Sequence, residues 1–233
     1  MQTIYLLDIK TMEKKTLSIL GLGSRSTLFY LAELNKLYLK KKGGYSTCPF
    51  TLLNTNFDGI NSLLPHPSKP LEKITQQYIT DLEKMEGEYL LIPNITLHET
   101  IDRLNISKHI LHPIHLTVSK IKQFNWDTVV LFGSTHSMES TYIRSILNSN
   151  GIQVILPSLE DMSSIDDVRK QVYNKTEPKD LIDNYHSLIE KYSKTAPVVL
   201  GCTELSILKP KLPHKHLLDM AQVQIEAAVD CVL

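Results

Sequence analysis

The sequence predicts an α/β fold of two similar doubly wound parallel-sheet lobes facing each other across a cleft. Short β-rich apolar runs alternate with stretches of helical spacing, and several of those runs are apolar at consecutive positions. Consecutive apolar residues suit strands buried on both faces of a parallel sheet, whereas half-wet strands alternate apolar and polar. A third observation is that LLIPNIT and VVLGCTE echo one another, each running strand, small turn residue, polar side chain and Thr. An ancient two-lobed duplication leaves such a trace.

Taken in order, LSIL (17–20), TLLN (51–54), YLLI (89–92), TVVLF (128–132), IQVIL and PVVL (197–200) read as the strands. Between them, the stretch from Leu71 to Met85 places Ile74, Tyr78, Leu82 and Met85 on one face. Asp180 to Tyr192 does the same with Leu181, Tyr185, Leu188 and Tyr192. Both read as amphipathic helices covering a sheet, and Ala221 to Val232 reads as a final helix. Lobe boundaries fall near Pro113 and Pro213. Lobe 1 is expected over 1–112, completed by the C-terminal segment 213–233, and lobe 2 over 113–212. TIYLLDI, ahead of Met12, is either an edge strand or an extension before the first clear strand.

A chain of 233 residues with 42% hydrophobic content supports a sizeable core. Its formal net charge is zero and its basic run is short, Lys40-Lys41-Lys42, so nucleic acid is not an expected partner. No apolar run reaches the roughly 18 residues that a membrane span needs, and the start lacks the order of a secretory signal. No membrane association and a cytoplasmic location are the expectation. Cys48, Cys202 and Cys231 lie far apart without CxxC spacing, which argues for free thiols rather than a disulfide framework or a zinc site.

Ligands of open α/β sheets collect beyond the carboxyl ends of the strands. The polar loops at those ends are GLGSRST (21–27), TNF (55–57), PNITLH (93–98), GSTHSM (133–138) and GCTEL (201–205). GLGSRST has neither the GxGxxG pattern nor a P-loop lysine, so it reads as substrate-facing rather than phosphate-binding.

These loops, together with PIHL at 113–116 and GIQVILP at 151–157, resemble the aspartate/glutamate racemase superfamily along nearly the whole chain. GCTEL is the most specific element. The resemblance implies two α/β lobes, each offering one cysteine from a strand-to-helix loop, and a reaction that uses no cofactor and no metal. One thiolate removes the α-proton and the opposing thiol reprotonates the planar intermediate. Cys202 matches the second-lobe thiol, and a thiolate at a helix start is stabilised there. Where related racemases read Cys, Asn, Thr, Ala, His after the IP dipeptide, this chain reads Asn94, Ile95, Thr96, Leu97, His98. The first thiol has become an amide, which cannot shuttle a proton at neutral pH.

The expected substrate is a small carboxylate or amino acid, acidic by the resemblance, and a homodimer is one possible assembly. Cys202 is the catalytic candidate, against a buried structural cysteine, and His98 is a second candidate, against a packed histidine. Candidate substrate ligands are Arg25 as a carboxylate clamp, Asn56, Asn94, Thr96, Ser134, Thr135, Ser137, Thr203 and Glu204. Asn94, Thr96 and Thr203 serve equally well as helix caps, Arg25 as a surface arginine, and Glu204 as a helix-start acid. Two further readings stay open. Arylmalonate decarboxylases of the superfamily keep a single second-lobe cysteine that protonates an intermediate formed by loss of carbon dioxide, and a non-catalytic carboxylate-binding protein would keep the cleft alone.

Overall fold

A computed structural model describes residues 15–210 and 215–233. TIYLLDI and Pro213 lie outside the described residues. The first half runs β1 (Leu17–Gly21), α1 (Ser24–Lys42), β2 (Phe50–Asn54), α2 (Asp58–Asn61), α3 (Lys69–Glu83), β3 (Tyr89–Leu91), α4 (His98–Ile101) and β4 (His109–Ile110). The second runs α5 (Pro113–Gln123), β5 (Thr128–Phe132), α6 (Thr135–Glu139), α7 (Thr141–Ser149), β6 (Gln153–Ile155), α8 (Leu159–Asn174), α9 (Lys179–Ser193), β7 (Val198–Leu200), α10 (Thr203–Ile207), β8 (Leu217–Asp219) and α11 (Met220–Val232).

The strands form two four-stranded sheets with matching orders, β2-β1-β3-β4 and β6-β5-β7-β8. Every pairing is parallel, with Leu17 opposite Phe50 and Tyr89 in the first sheet and Val130 opposite Ile155 and Val198 in the second. Residues of β1, β5 and β7 are buried almost throughout, as consecutive apolar positions require. In each sheet the chain first moves to one side of the opening strand and then to the other. Each sheet therefore has a switch point, between β1 and β3 and between β5 and β7, where a crevice opens at the strand ends.

Helix ends follow local chemistry. Ser68 caps α3 by accepting from Leu71 N, with Pro70 in the first turn, and Ser158 caps α8 by accepting from Asp161 N. The basic run 40–42 closes α1, where positive charge meets the carbonyl end of the helix. On α3 the fully buried row is Leu71, Thr75, Ile79 and Leu82, packed with Leu20, Leu90 and Ile92. Ile74, Tyr78 and Met85, predicted for that face, sit half-buried along its edge. Thr75 interrupts the apolar row and hides its true direction from hydrophobicity alone.

The C-terminal segment divides between the two halves. β8 extends the second sheet beside β7, with Leu217 opposite Val198, so this strand does not join the first lobe as expected. Asp219 then starts α11 by accepting from Ala221 N at 3.0 Å. Met220 and Val223 pack with Val129, Leu131 and Val199 of the second half. Ala221, Ile225, Ala228 and Val229 pack with Leu17, Ile19 and Leu91 of the first. Within α11, fully buried Gln224 accepts from Tyr30 Oη at 2.7 Å and donates to Leu111 O.

Replacing Gln224 by Ala strands the Tyr30 hydroxyl and the Leu111 carbonyl away from water, and each such group costs about 1–3 kcal/mol. Urea unfolding of Gln224→Ala is expected to show a loss of about 3 kcal/mol. A loss below about 1 kcal/mol would show that this buried bridge is replaceable.

Candidate active site

One cavity of about 290 Å³ collects the ends of the switch-point strands. Gly23 and Ser26 reach it from the β1–α1 turn and Pro93, Asn94, Ile95 and Thr96 from the end of β3. From the second half come Ser134, Thr135 and His136 after β5 and Gly201, Cys202, Thr203 and Glu204 after β7. Asp166, Arg169 and Tyr173 of α8 and Phe57, Asn61, Leu64 and Pro65 complete the wall. This volume sits at the small end of ligand pockets, which run from about 300 Å³ upward. It suits a metabolite of a few heavy atoms.

Cys202 occupies the position ahead of α10 with extended backbone. Gly201 before it holds its N–H on Phe132 O at 2.7 Å, and a side chain there would meet Leu131 Cδ1 at 3.2 Å. Leu131 would have to give by a few tenths of an ångström to admit one. Cys202 is 9% exposed, and its thiol donates to Glu204 Oε2 at 3.0 Å. Burial, followed by the neighbouring Glu204 charge, pushes its pKa well above the ordinary thiol value, against a smaller opposing pull from Arg169. The thiol is protonated at rest. The helix-start stabilisation expected from sequence is outweighed, because α10 spans only Thr203–Ile207 while burial and the adjacent carboxylate both act against the thiolate.

Asn94 lies on the wall contributed by the other half. Its Oδ1 accepts from Leu97 N at 3.0 Å, so it holds its own turn while lining the cavity. Thr96, Thr203, Ser134 and Thr135 line the cavity as well. Ser134 also caps α6, accepting from Ser137 N at 3.0 Å.

Other candidates stand elsewhere. Arg25 does not line the cavity; it forms a fork onto Glu177, 2.8 and 2.9 Å, and donates to Val172 O. Its guanidinium thus joins α1 to the end of α8 instead of clamping a ligand. Asn56 lines a neighbouring depression, where its Oδ1 accepts from Asp58 N at 3.3 Å. Ser137 is buried behind Ser134, with its hydroxyl 2.9 Å from Ser134 Oγ. His98 is fully buried outside the cavity wall, and Nδ1–H donates to Asn94 O at 2.8 Å. Burial and the nearby His112 push its pKa down to about 3, so it supports Asn94 as a neutral ring.

Sequence reading passed over α8. Asp166 accepts from Arg169 Nε at 2.6 Å, from Lys170 Nζ at 3.0 Å and from Thr135 N at 3.3 Å. Burial alone would raise the Asp166 pKa; the bonds from Arg169 and Lys170 outweigh it and keep the carboxylate charged. Asp166 grips Arg169 through Nε, which leaves the terminal nitrogens of the fork for a ligand anion. His136 also lines the cavity, its ring 4.8 Å from that of His66. The spacing in DDVRK shows a helical ion pair, but nothing in it shows that α8 turns this pair toward the strand ends.

The family profile for Asp/Glu/hydantoin racemase matches residues 19–228. No curated protein matches the sequence significantly. Among solved structures, a candidate Asp/Glu racemase from Yersinia pestis is 23% identical, with a TM-score of 0.77 over 93% of this chain and 98% of that one. An aspartate racemase homologue from Pyrococcus horikoshii OT3 is 18% identical, with a TM-score of 0.75 over 94% of this chain and 99% of its own. The Picrophilus torridus aspartate racemase is also 18% identical, with a TM-score of 0.76 over 94% of each chain. At these identities the structural likeness speaks for the fold. Among the described residues no helix is long and apolar enough to cross a membrane.

If Glu204 holds the Cys202 thiol in its protonated form, Glu204→Gln removes the opposing charge and exposes more thiolate at neutral pH. Timed iodoacetamide labelling with peptide mapping should show faster modification of Cys202 in that variant than in the parent protein. An unchanged or slower rate would contradict the electrostatic assignment.

Proposed function

The chain belongs to the Asp/Glu/hydantoin racemase family, and from that premise we propose that it acts at the carbon beside the carboxylate of a small acidic amino acid, without a cofactor, with Cys202 as its acid/base. The observation that carries this reading is a single thiol on a cavity whose other wall offers the amide of Asn94.

In this reading the substrate carboxylate lies against Arg169, with hydroxyls from Ser134, Thr135, Thr96 and Thr203 and backbone N–H groups around it. Charge grows on that carboxylate as the α-proton leaves, and fixed donors in a small cavity stabilise it more than water would. Cys202 first passes its proton to Glu204, 3.0 Å away. The thiolate then takes the α-proton and can return one from the same side. Inversion requires a donor on the opposite face, and an amide neither yields nor accepts a proton there. Asn94 instead holds the substrate or the planar intermediate by hydrogen bonds.

The protonated resting thiol favours a second reading. A thiol in that form is ready to protonate a carbanion left by loss of carbon dioxide, and release of carbon dioxide from a 2-substituted malonate would select it. Ligand binding with neither turnover nor exchange would select a non-catalytic binding protein.

Asn94→Cys restores a thiol on each wall at similar side-chain size. General acid–base groups contribute about 10²–10⁴-fold, so racemisation of L-aspartate or L-glutamate by this variant, read by chiral chromatography, should rise at least about 100-fold over the parent. Equal, low rates in both proteins with ligand binding intact would contradict the missing-thiol account.

A further inference from the structure

We propose that Asp102, His112 and His115 form a binding site for a borderline divalent cation of the zinc class, outside the cavity that holds Cys202. Ligand atoms of these three side chains all lie within 4.8 Å of one another. His112 caps α5 and His115 stands on its first turn, their ring centroids 4.4 Å apart. Asp102, just past α4, brings Oδ1 to 3.4 Å from His112 Nε2. None of the three lines the cavity.

The 3.4 Å separation makes a loose ion pair and also matches the spacing of two ligands on one cation. It exceeds the usual hydrogen-bond range of about 2.7–3.2 Å. Zinc binds imidazole nitrogen and carboxylate oxygen at about 2.0–2.2 Å, and the edge of a tetrahedron with such arms is about 3.4 Å. Two imidazoles with one carboxylate suit zinc, nickel or cobalt, whereas calcium and magnesium prefer all-oxygen sets.

The surroundings have the form of an outer shell. Tyr142 Oη donates to Asp102 Oδ2 at 2.6 Å and so fixes the carboxylate while Oδ1 faces the imidazole. Such second contacts orient metal-binding carboxylates and strengthen their sites. Asp102 and His115 are exposed while His112 is buried, which gives an entry path and room for water in the remaining coordination positions. A cation on His112 Nε2 requires the ring proton on Nδ1. That gives up the 3.4 Å contact from His115 N and the 3.2 Å contact between Nε2 and Tyr142 Oη, while Tyr142 keeps its bond to Asp102.

The test uses the full chain, stripped with a chelator and titrated with zinc sulfate by calorimetry near neutral pH. One equivalent should bind. His115→Ala and Asp102→Asn should each weaken binding at least about tenfold, while Cys202→Ser and His136→Ala leave it unchanged and magnesium chloride gives no saturable heat. Asp102→Asn retains an acceptor for Tyr142, so it tests the site even if His115→Ala fails to fold. Zinc should also raise the melting temperature of the parent and not that of Asp102→Asn. No saturable zinc binding, binding insensitive to both variants, loss of binding in Cys202→Ser or His136→Ala, or equal affinity for magnesium would each overturn the assignment.

Discussion

The site depends on one geometric constraint: two switch points, one per sheet, open onto the same volume. The ends of β1 and β3 supply Gly23, Asn94 and Thr96, and the ends of β5 and β7 supply Ser134, Thr135 and Cys202. Neither sheet alone encloses the 290 Å³ between them. Each loop follows a strand buried in a parallel core, so the positions of the polar groups are set by apolar packing. Gly201 N donates to Phe132 O at 2.7 Å, which ties the end of β7 to the end of β5.

Apposition of the halves has its own chemistry. α11 shares its length between the two apolar clusters, and its buried Gln224 bridges Tyr30 to the Leu111 carbonyl. A second link between the halves is the Arg25–Glu177 fork, which joins α1 to the residues just after α8. Both partners are mostly buried, so losing one would leave the other charge poorly solvated. This fork also holds the end of α8, the helix that carries Arg169 and Tyr173 into the cavity wall.

Much of the architecture was legible because buried parallel strands are apolar at successive positions: LSIL, TVVLF and PVVL all fall on observed strands. The edge strands His109–Ile110 and Leu217–Asp219 were not, since two or three residues show no period. At the site, residues directly following a strand were readable, and Asn94, Thr96, Ser134, Thr135, Cys202, Thr203 and Glu204 line one cavity. Tertiary context decided the rest. Arg25 looks like a ligand clamp until Glu177, 152 positions away, occupies its fork. Arg169 looks like one half of a helical ion pair until the fold turns α8 inward. His98 has the right intrinsic acidity for proton transfer, but burial removes that capacity.

A cavity with a thiol on one wall and an amide on the other has a definite stereochemical consequence. In the proposed function, proton removal and return both belong to the Cys202 side. The direct measurement incubates the unmodified protein with L-aspartate in heavy water, following the α-proton by NMR and the configuration by chiral chromatography. The account predicts that the α-proton signal decays while the aspartate remains L, and that Cys202→Ala abolishes the exchange. D-aspartate accumulating as fast as deuterium enters, or exchange persisting without Cys202, would contradict it.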